Sequence, residues 1–485
     1  MRTSRRNPKA GSLSFVVAVA LLGVSLSACR TDRAAPVTSV REPLEPLHLA
    51  RLETMRWDLE GRIEQSEGED GWFVAGAVAV VQRDFGQAMI AAIGRPRGPG
   101  LGVRASELEI ELTENTIFPI HSMTKPIVSV AVLQLVEEGR LALEDPIERY
   151  LPEFAEPEVA QFDDEGRLIG TRPATGSVTI ADLLGHTSGL GYALFAEGGL
   201  RAVYEQAGLD REFASNRERS CAIADLPLAF DPGTQWRYGR STDVLGALLE
   251  ELEGETLGAI LSRRVLEPLG MVDTAFFVSE DGGRRERIAW NGNSRTTLGS
   301  AAPPELRLPA SYFVPEREPA ACNAGGGLYS TAMDYHAFCE MLLGEGESDG
   351  VRLLQPETVR LMTRDRIAGL PRQDFLGERG FGLGVAVLTE DSAGPLNGTV
   401  GSFHWSGIEG TSFFVDPEER LIGVFLIRAP RDFSYMVAFR KGVYASLPGN
   451  VPEPSALEPG PSEPEPSEPV DSPSPLSVGG SDVGE

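Results

Sequence analysis

The sequence predicts a mixed α/β (α+β) chain. One central antiparallel sheet is built from both ends of a folded body and flanked by helices, and a mostly helical subdomain is inserted between them. Three observations predict this. Residues 73–83 (FVAGAVAVVQR) and 88–94 (AMIAAIG) read as two adjacent strands around a turn at 84–86. Residues 412–427 (SFFVDPEERLIGVFLI) read as a hairpin turning at 416–420. The segments between are dominated by helical periodicity.

In order along the chain, residues 47–65 (LHLARLETMRWDLEGRIEQ) have helical spacing. Residues 126–139 (PIVSVAVLQLVEEG) form a helix ending at Gly139. It is apolar nearly all round, so it should be buried on most faces. Residues 241–254, 331–346 and 355–365 are helical, and a last helix covers 433–445. A cleft between the sheet and the helical insertion is the expected place for a site.

The ends differ from the body. Arg2, Arg5, Arg6 and Lys9 precede the apolar run SLSFVVAVALLGVSL, which is too short for a confident membrane span. Next comes LSAC, ending at Cys29, similar to the bacterial lipobox whose cysteine is acylated. Residues 1–28 are therefore expected to be a lipoprotein signal peptide and 29–46 a lipid-anchored tether. Residues 47–447 are the folded body, and 448–485 a disordered Pro/Glu/Ser-rich acidic tail. The expected location is the bacterial cell envelope, outside the cytoplasm. Arg30, directly after the cysteine, favours the outer membrane if the enterobacterial sorting rule applies.

With 485 residues and a net charge of −27, the chain can bury a large core and should repel nucleic acid. Beyond Cys29 the cysteines are Cys221, Cys322 and Cys339, too few and too widely spaced for a disulfide framework. Five scattered histidines and no Cys-x-x-Cys argue against a zinc site. No cofactor is implied, and the chain is expected to be a monomer.

The chemistry starts at LTENTIFPIHSMTK, residues 112–125. Ser122 and Lys125 lie three apart at the start of the buried helix, so they share a face. Burial lowers a lysine's pKa and makes it a base, while a helix N-terminus favours a developing oxyanion. Ser-x-x-Lys alone is also the pattern of a capping serine with a solvated lysine. Tyr238 follows the turn Asp231-Pro232-Gly233 and precedes a helix. It suits either a cleft or the core. Gly407 and Gly410 in FHWSGIEGTSFFVDP imply close backbone approach.

SMTK, LLGHTSGL, PGTQWRY, LEPLGMVDTAF, GGGLYSTAMDYHAF and HWSGIEGTSFFVDP follow one another in order over residues 48–447. Together they resemble the serine β-lactamase-related hydrolases: class C β-lactamases, DD-peptidases and their esterase relatives. The resemblance implies a β-lactamase-like fold, with Ser122 as acylated nucleophile and Lys125 and Tyr238 as proton partners. It leaves open which of the two is the primary base. It also implies an oxyanion hole from the backbone N–H groups of Ser122 and Ile408, with substrate contacts at Trp405, Ser406, Gly407 and Arg240.

Two departures narrow the substrate. Arg240 stands where β-lactamases of this type carry asparagine, and Trp405 stands where their third motif begins with lysine. Both point to the esterase branch: a carboxylesterase acting on short acyl esters through an acyl-enzyme. β-Lactamase or D-alanyl-D-alanine peptidase activity is the alternative, and a non-catalytic envelope scaffold is the reading from another class. Arg240 keeps an anionic substrate open, and is otherwise a solvated charge.

Gly346–Gly350 (GESDG) matches Gly-x-Ser-x-Gly, but Ser348 follows a helix and is ringed by carboxylates, which disqualifies it. His121 neighbours the nucleophile without facing it, His186 is a turn residue, and His404 alternates away from Trp405. None is expected to be the base.

Overall fold

The computed structural model describes residues 44–66, 74, 76–94, 112–196, 198–289 and 314–450. Cys29, the leader and the acidic tail from 451 lie outside the described residues. The N-terminal side contributes helix α1 (Leu49–Glu64) and strands β1 (Ala77–Arg83) and β2 (Met89–Ile93). The middle contributes α2 (Thr124–Glu137), α3 (Ile180–Gly185), α4 (Ser241–Glu253) and α5 (Ala332–Leu343), with shorter helices between. The C-terminal side adds β3 (Gly380–Phe381), β4 (Ala386–Val387), β5 (Phe403–Ser406), β6 (Ser412–Asp416), β7 (Leu421–Ile427) and α6 (Ser434–Ala445).

These seven strands form one sheet in the order β2-β1-β7-β6-β5-β4-β3, antiparallel at every junction. The N-terminal hairpin joins the C-terminal strands through β1 and β7, with Ala77 opposite Ile427 and Arg83 opposite Leu421. Both ends of the body thus meet in the middle of the sheet, as the sequence predicts. The β1–β2 reversal uses Asp84 and Phe85, both at positive φ (57° and 53°).

Period-two alternation sorts the side chains into two cores. Ala77, Ala79 and Val81 of β1, with Leu421, Phe425 and Ile427 of β7, pack under α1 and α6, beside Leu59 and Phe439. Val78 and Val80, with Ile422, Val424 and Leu426, point into the larger core on the other face. There α5 lies against them, and α2 packs on α4 deeper in the same core. Every residue of α2 from Thr124 to Leu135 is buried, in keeping with its all-round apolar sequence.

Three local differences from the sequence reading have physical causes. Ser122 does not start the long helix. It sits in a 3-10 turn, His121–Met123, that leads into α2. Gly407 and Gly410 lie not in a strand but in the turn between β5 and β6. Finally, the helical insertion also holds an antiparallel hairpin, Glu158–Phe162 with Leu168–Pro173. Its strands are largely exposed, so they lack the apolar alternation that marks a strand in a sequence. Cys221, Cys322 and Cys339 are all free thiols.

Candidate active site

Three parts of the fold meet at Ser122. The turn before α2 carries Ser122 and, one turn on, Lys125. The loop before α4 carries Tyr238 and Arg240, and the edge of β5 carries Trp405. Gly407 explains how β5 comes so close. A Cβ there would stand 2.8 Å from Ile120 O, 3.1 Å from His121 Cβ and 2.3 Å from Thr411 Oγ1, so only glycine fits against the nucleophile turn.

Lys125 is fully buried. Its Nζ lies 3.3 Å from Ser122 Oγ, 3.2 Å from Tyr192 Oη and 2.5 Å from the carbonyl oxygen of Gly325, to which it donates. Burial lowers its pKa from the usual lysine range to about 7; Asp243 pulls it back up and Arg240 pushes it further down. A neutral amine has two N–H bonds and one lone pair. With Gly325 O and Tyr192 Oη as partners for the N–H groups, the lone pair is left for the hydroxyl of Ser122.

Tyr238 lies against the same amine, its ring centroid 4.6 Å from Lys125 Nζ. Burial pushes its phenol pKa well up, and proximity to Ser122 and Trp405 opposes the rise. Its hydroxyl nevertheless closes no hydrogen bond of good geometry, and neither does the indole Nε1 of Trp405. The Trp405 and Tyr238 rings meet edge-on, with centroids 5.2 Å apart. Phe195 and Phe375 stack on each other at 5.3 Å beside Tyr238, which gives the site an aromatic flank.

Arg240 is neither solvated nor open. Its side chain is 11% exposed, binds Asp210 at 2.5 Å, lies 3.9 Å from Asp243 and covers the Tyr192 ring at 4.8 Å. Ser406 pairs across the sheet with Ser412. Ile408 follows Gly407 in the turn, its carbonyl held by the N–H of Arg431 at 2.9 Å.

The histidines fall as their neighbours dictate. His186 caps α3 in the left-handed region (φ 57°), and burial followed by Lys125 pushes its pKa well below the imidazole range. His404 is likewise driven down by burial, then by Arg440 and Arg379. Ser348 sits in a small surface hairpin, Glu347–Ser348 with Val351–Arg352, away from these groups.

Sequence reasoning missed Tyr192, Asp243, Gly325 and Glu409. Tyr192 and Gly325 reach Lys125 from distant loops, and no local spacing announces them. Asp243 is buried at the start of α4 with neither carboxylate oxygen in a hydrogen bond. Glu409 did carry a signal: it is the one acidic side chain in the run FHWSGIEGTSFFV, residues 403–415. Among the described residues no cluster of histidine, cysteine or acidic side chains suits a metal ion.

A sheet built from both ends of the folded body, a helical insertion and a buried lysine one turn from a serine together define a serine hydrolase of the β-lactamase-related class. The chain belongs to the family described as "Beta-lactamase", whose model matches residues 62–438. It is 40% identical over 350 residues to Protein Rv1367c of Mycobacterium tuberculosis, covering 69% of this chain and 82% of that protein. It is 35% identical over 356 residues to Esterase EstB of Burkholderia gladioli, covering 71% and 83%. Among solved structures it resembles EstCE1, titled a hydrolase with promiscuous acyltransferase activity. That match has a TM-score of 0.62 at 24% identity and covers 81% of this chain and 99% of the other.

Proposed function

We propose that this protein is a carboxylesterase that cleaves acyl esters through an acyl-enzyme on Ser122. The observation that carries the reading is the fully buried Lys125, with Nζ 3.3 Å from Ser122 Oγ and a pKa brought to about 7. An amine that is half neutral near pH 7 is a competent general base.

In the proposed cycle Lys125 takes the Ser122 proton as Oγ attacks the ester carbonyl. The oxyanion is met by the backbone N–H groups of Ser122 and Ile408. Tyr238, held as a phenol by its burial, gives a proton to the departing alcohol and recovers one through Lys125. A water molecule then repeats the sequence on the acyl-enzyme. The opposite directions of the two pKa shifts support Lys125, not Tyr238, as the primary base.

Trp405 supports esters over β-lactams, since an indole replaces the ammonium that would meet a β-lactam carboxylate. Arg240, engaged by Asp210 and Asp243, is assigned a place behind Tyr192, supporting the substrate site from outside. The similarity to Esterase EstB supports the same choice. Purified protein should hydrolyse p-nitrophenyl butyrate, and Ser122→Ala should not. Rapid nitrocefin turnover with no ester hydrolysis would replace this reading with the β-lactamase one. We further propose that Cys29 anchors the enzyme to the envelope by acyl chains. Radiolabelled palmitate should enter the wild-type chain and not Cys29→Ala.

A further inference from the structure

The carboxylate of Glu409 is completely buried, directly after Ile408. Arg428, the residue following β7, grips it with two bonds: Nε to Oε2 at 2.7 Å and Nη2 to Oε1 at 3.1 Å. A third guanidinium nitrogen of Arg428 donates to Ala289 O at 3.1 Å. The backbone of this turn is pinned as well. Gly407 N–H donates to Thr411 O (2.8 Å), Arg431 N–H to Ile408 O (2.9 Å) and Ala429 N–H to Glu409 O (2.8 Å). The peptide units around Ile408 thus have one fixed orientation.

On its other side Glu409 reaches the nucleophile turn. Its Oε2 lies 3.5 Å from Nε2 of His121, an electrostatic contact at the long limit of a hydrogen bond. His121 immediately precedes Ser122 and has φ +46°, a left-handed conformation that non-glycine residues adopt only when their surroundings impose it. Gly407 packs against Ile120 O and His121 Cβ, and Thr411 Oγ1 donates to Ile120 O at 3.4 Å.

We propose that Glu409 is a positioning residue that ties together the two backbone N–H groups assigned to the oxyanion hole. It holds Ile408 through the pinned turn and Ser122 through the imidazole of His121. The proposal rests on the hydrolase reading above. It gives the strained backbone of His121 a purpose, because the contact with Glu409 keeps the Ser122 N–H aimed at the same point as that of Ile408. The Glu409 carboxylate stays charged at every working pH. Burial raises the Glu409 pKa, but Arg428 and His121 outweigh burial and bring it to about 2.

His121→Gly tests this without touching the Glu409–Arg428 pair. Glycine accepts φ +46° freely, so the variant should keep or raise its melting temperature. The expected result is a fall in kcat for p-nitrophenyl butyrate of tenfold or more with KM within about twofold. Affinity for a trifluoromethyl ketone, which forms a tetrahedral adduct on Ser122, should fall in step with kcat/KM. His121→Gln, which restores a donor towards Glu409, should recover part of both losses. If glycine disrupts the turn, His121→Asn tolerates the left-handed region and is too short to reach Glu409, so it should show the same loss. Unchanged kcat and analogue affinity in the folded glycine or asparagine variant overturns the proposal, and so does a glutamine variant no better than glycine. Failure of the hydrolase reading itself looks different: the wild-type chain would then be inactive and Ser122→Ala would change nothing.

Discussion

Lys125 Nζ donates to the carbonyl oxygen of Gly325 at 2.5 Å, across 200 residues of sequence. The contact is possible because Gly325 has no side chain: a Cβ there would lie 2.9 Å from both Asp243 Oδ2 and Tyr192 Oη. The carbonyl fixes one N–H of the amine and so helps turn its lone pair to Ser122. Gly325→Ala should push Asp243 and Tyr192 aside. We expect kcat to fall by tenfold or more with a modest loss of stability, about 1–3 kcal/mol, measured by denaturant unfolding.

Ser122→Ala should leave the fold intact, because the turn His121–Met123 makes its backbone contacts without the hydroxyl. Esterase activity should drop by about three orders of magnitude or more, and labelling by a fluorophosphonate should vanish. Label persisting in this variant would locate the nucleophile elsewhere.

The pH profile should follow Lys125. As base it must be neutral, so kcat/KM should rise with pH through about 7 and then level off. Asp243 raises this pKa, so Asp243→Asn should move the rising limb to more acid pH. Arg240 lowers it, so Arg240→Gln should move the limb the opposite way. Profiles of wild type and both variants on one neutral ester check the two signs together. Shifts in the same direction would contradict the electrostatic assignment.

Tyr238→Phe keeps the ring that packs on Trp405 and Phe375 and removes only the hydroxyl. Loss of a general acid typically costs about 10²–10⁴-fold in rate. The loss should appear in kcat, with KM nearly unchanged. It should shrink for esters whose leaving alcohol is acidic, such as p-nitrophenol compared with a simple alkanol.

Gly407→Ala probes the approach of β5 to the nucleophile turn. The added methyl would meet Ile120 O and His121 Cβ, both in or beside that turn. The strand must retreat, taking the Ile408 N–H with it. We expect kcat to fall by more than tenfold, while stability falls by about 1–3 kcal/mol in the same unfolding assay.

Much of this was legible in the sequence because the signals were local. The apolar run of α2 announced a buried helix, and with it a lysine without free access to water. Alternation in 412–427 announced the hairpin, and the strand signals at both ends announced a shared sheet. Ser122 and Lys125 needed only the geometry of one helical turn to be paired. Trp405, in the third-motif position, pointed to the esterase side.

What the sequence could not carry was long-range and polar. Tyr192 and Gly325 share the Lys125 amine only because separate loops converge on it, and neither loop has a periodicity that foretells the contact. Arg240 read as solvated or substrate-binding. Tertiary structure supplied Asp210 and Asp243, which take up its charge. Glu409 is the sharpest case. A buried carboxylate is tolerable only with a partner, and its partner Arg428 comes from the end of another strand. The sequence by itself thus determined the long helices, the apolar strands at both ends of the body and the spacing of Ser122 and Lys125, since these follow from local pattern; the exposed hairpin of residues 158–173 lacked that pattern. Only the tertiary structure decided which groups set the lysine's charge and the aim of the serine, because those effects depend on distances between segments far apart in sequence.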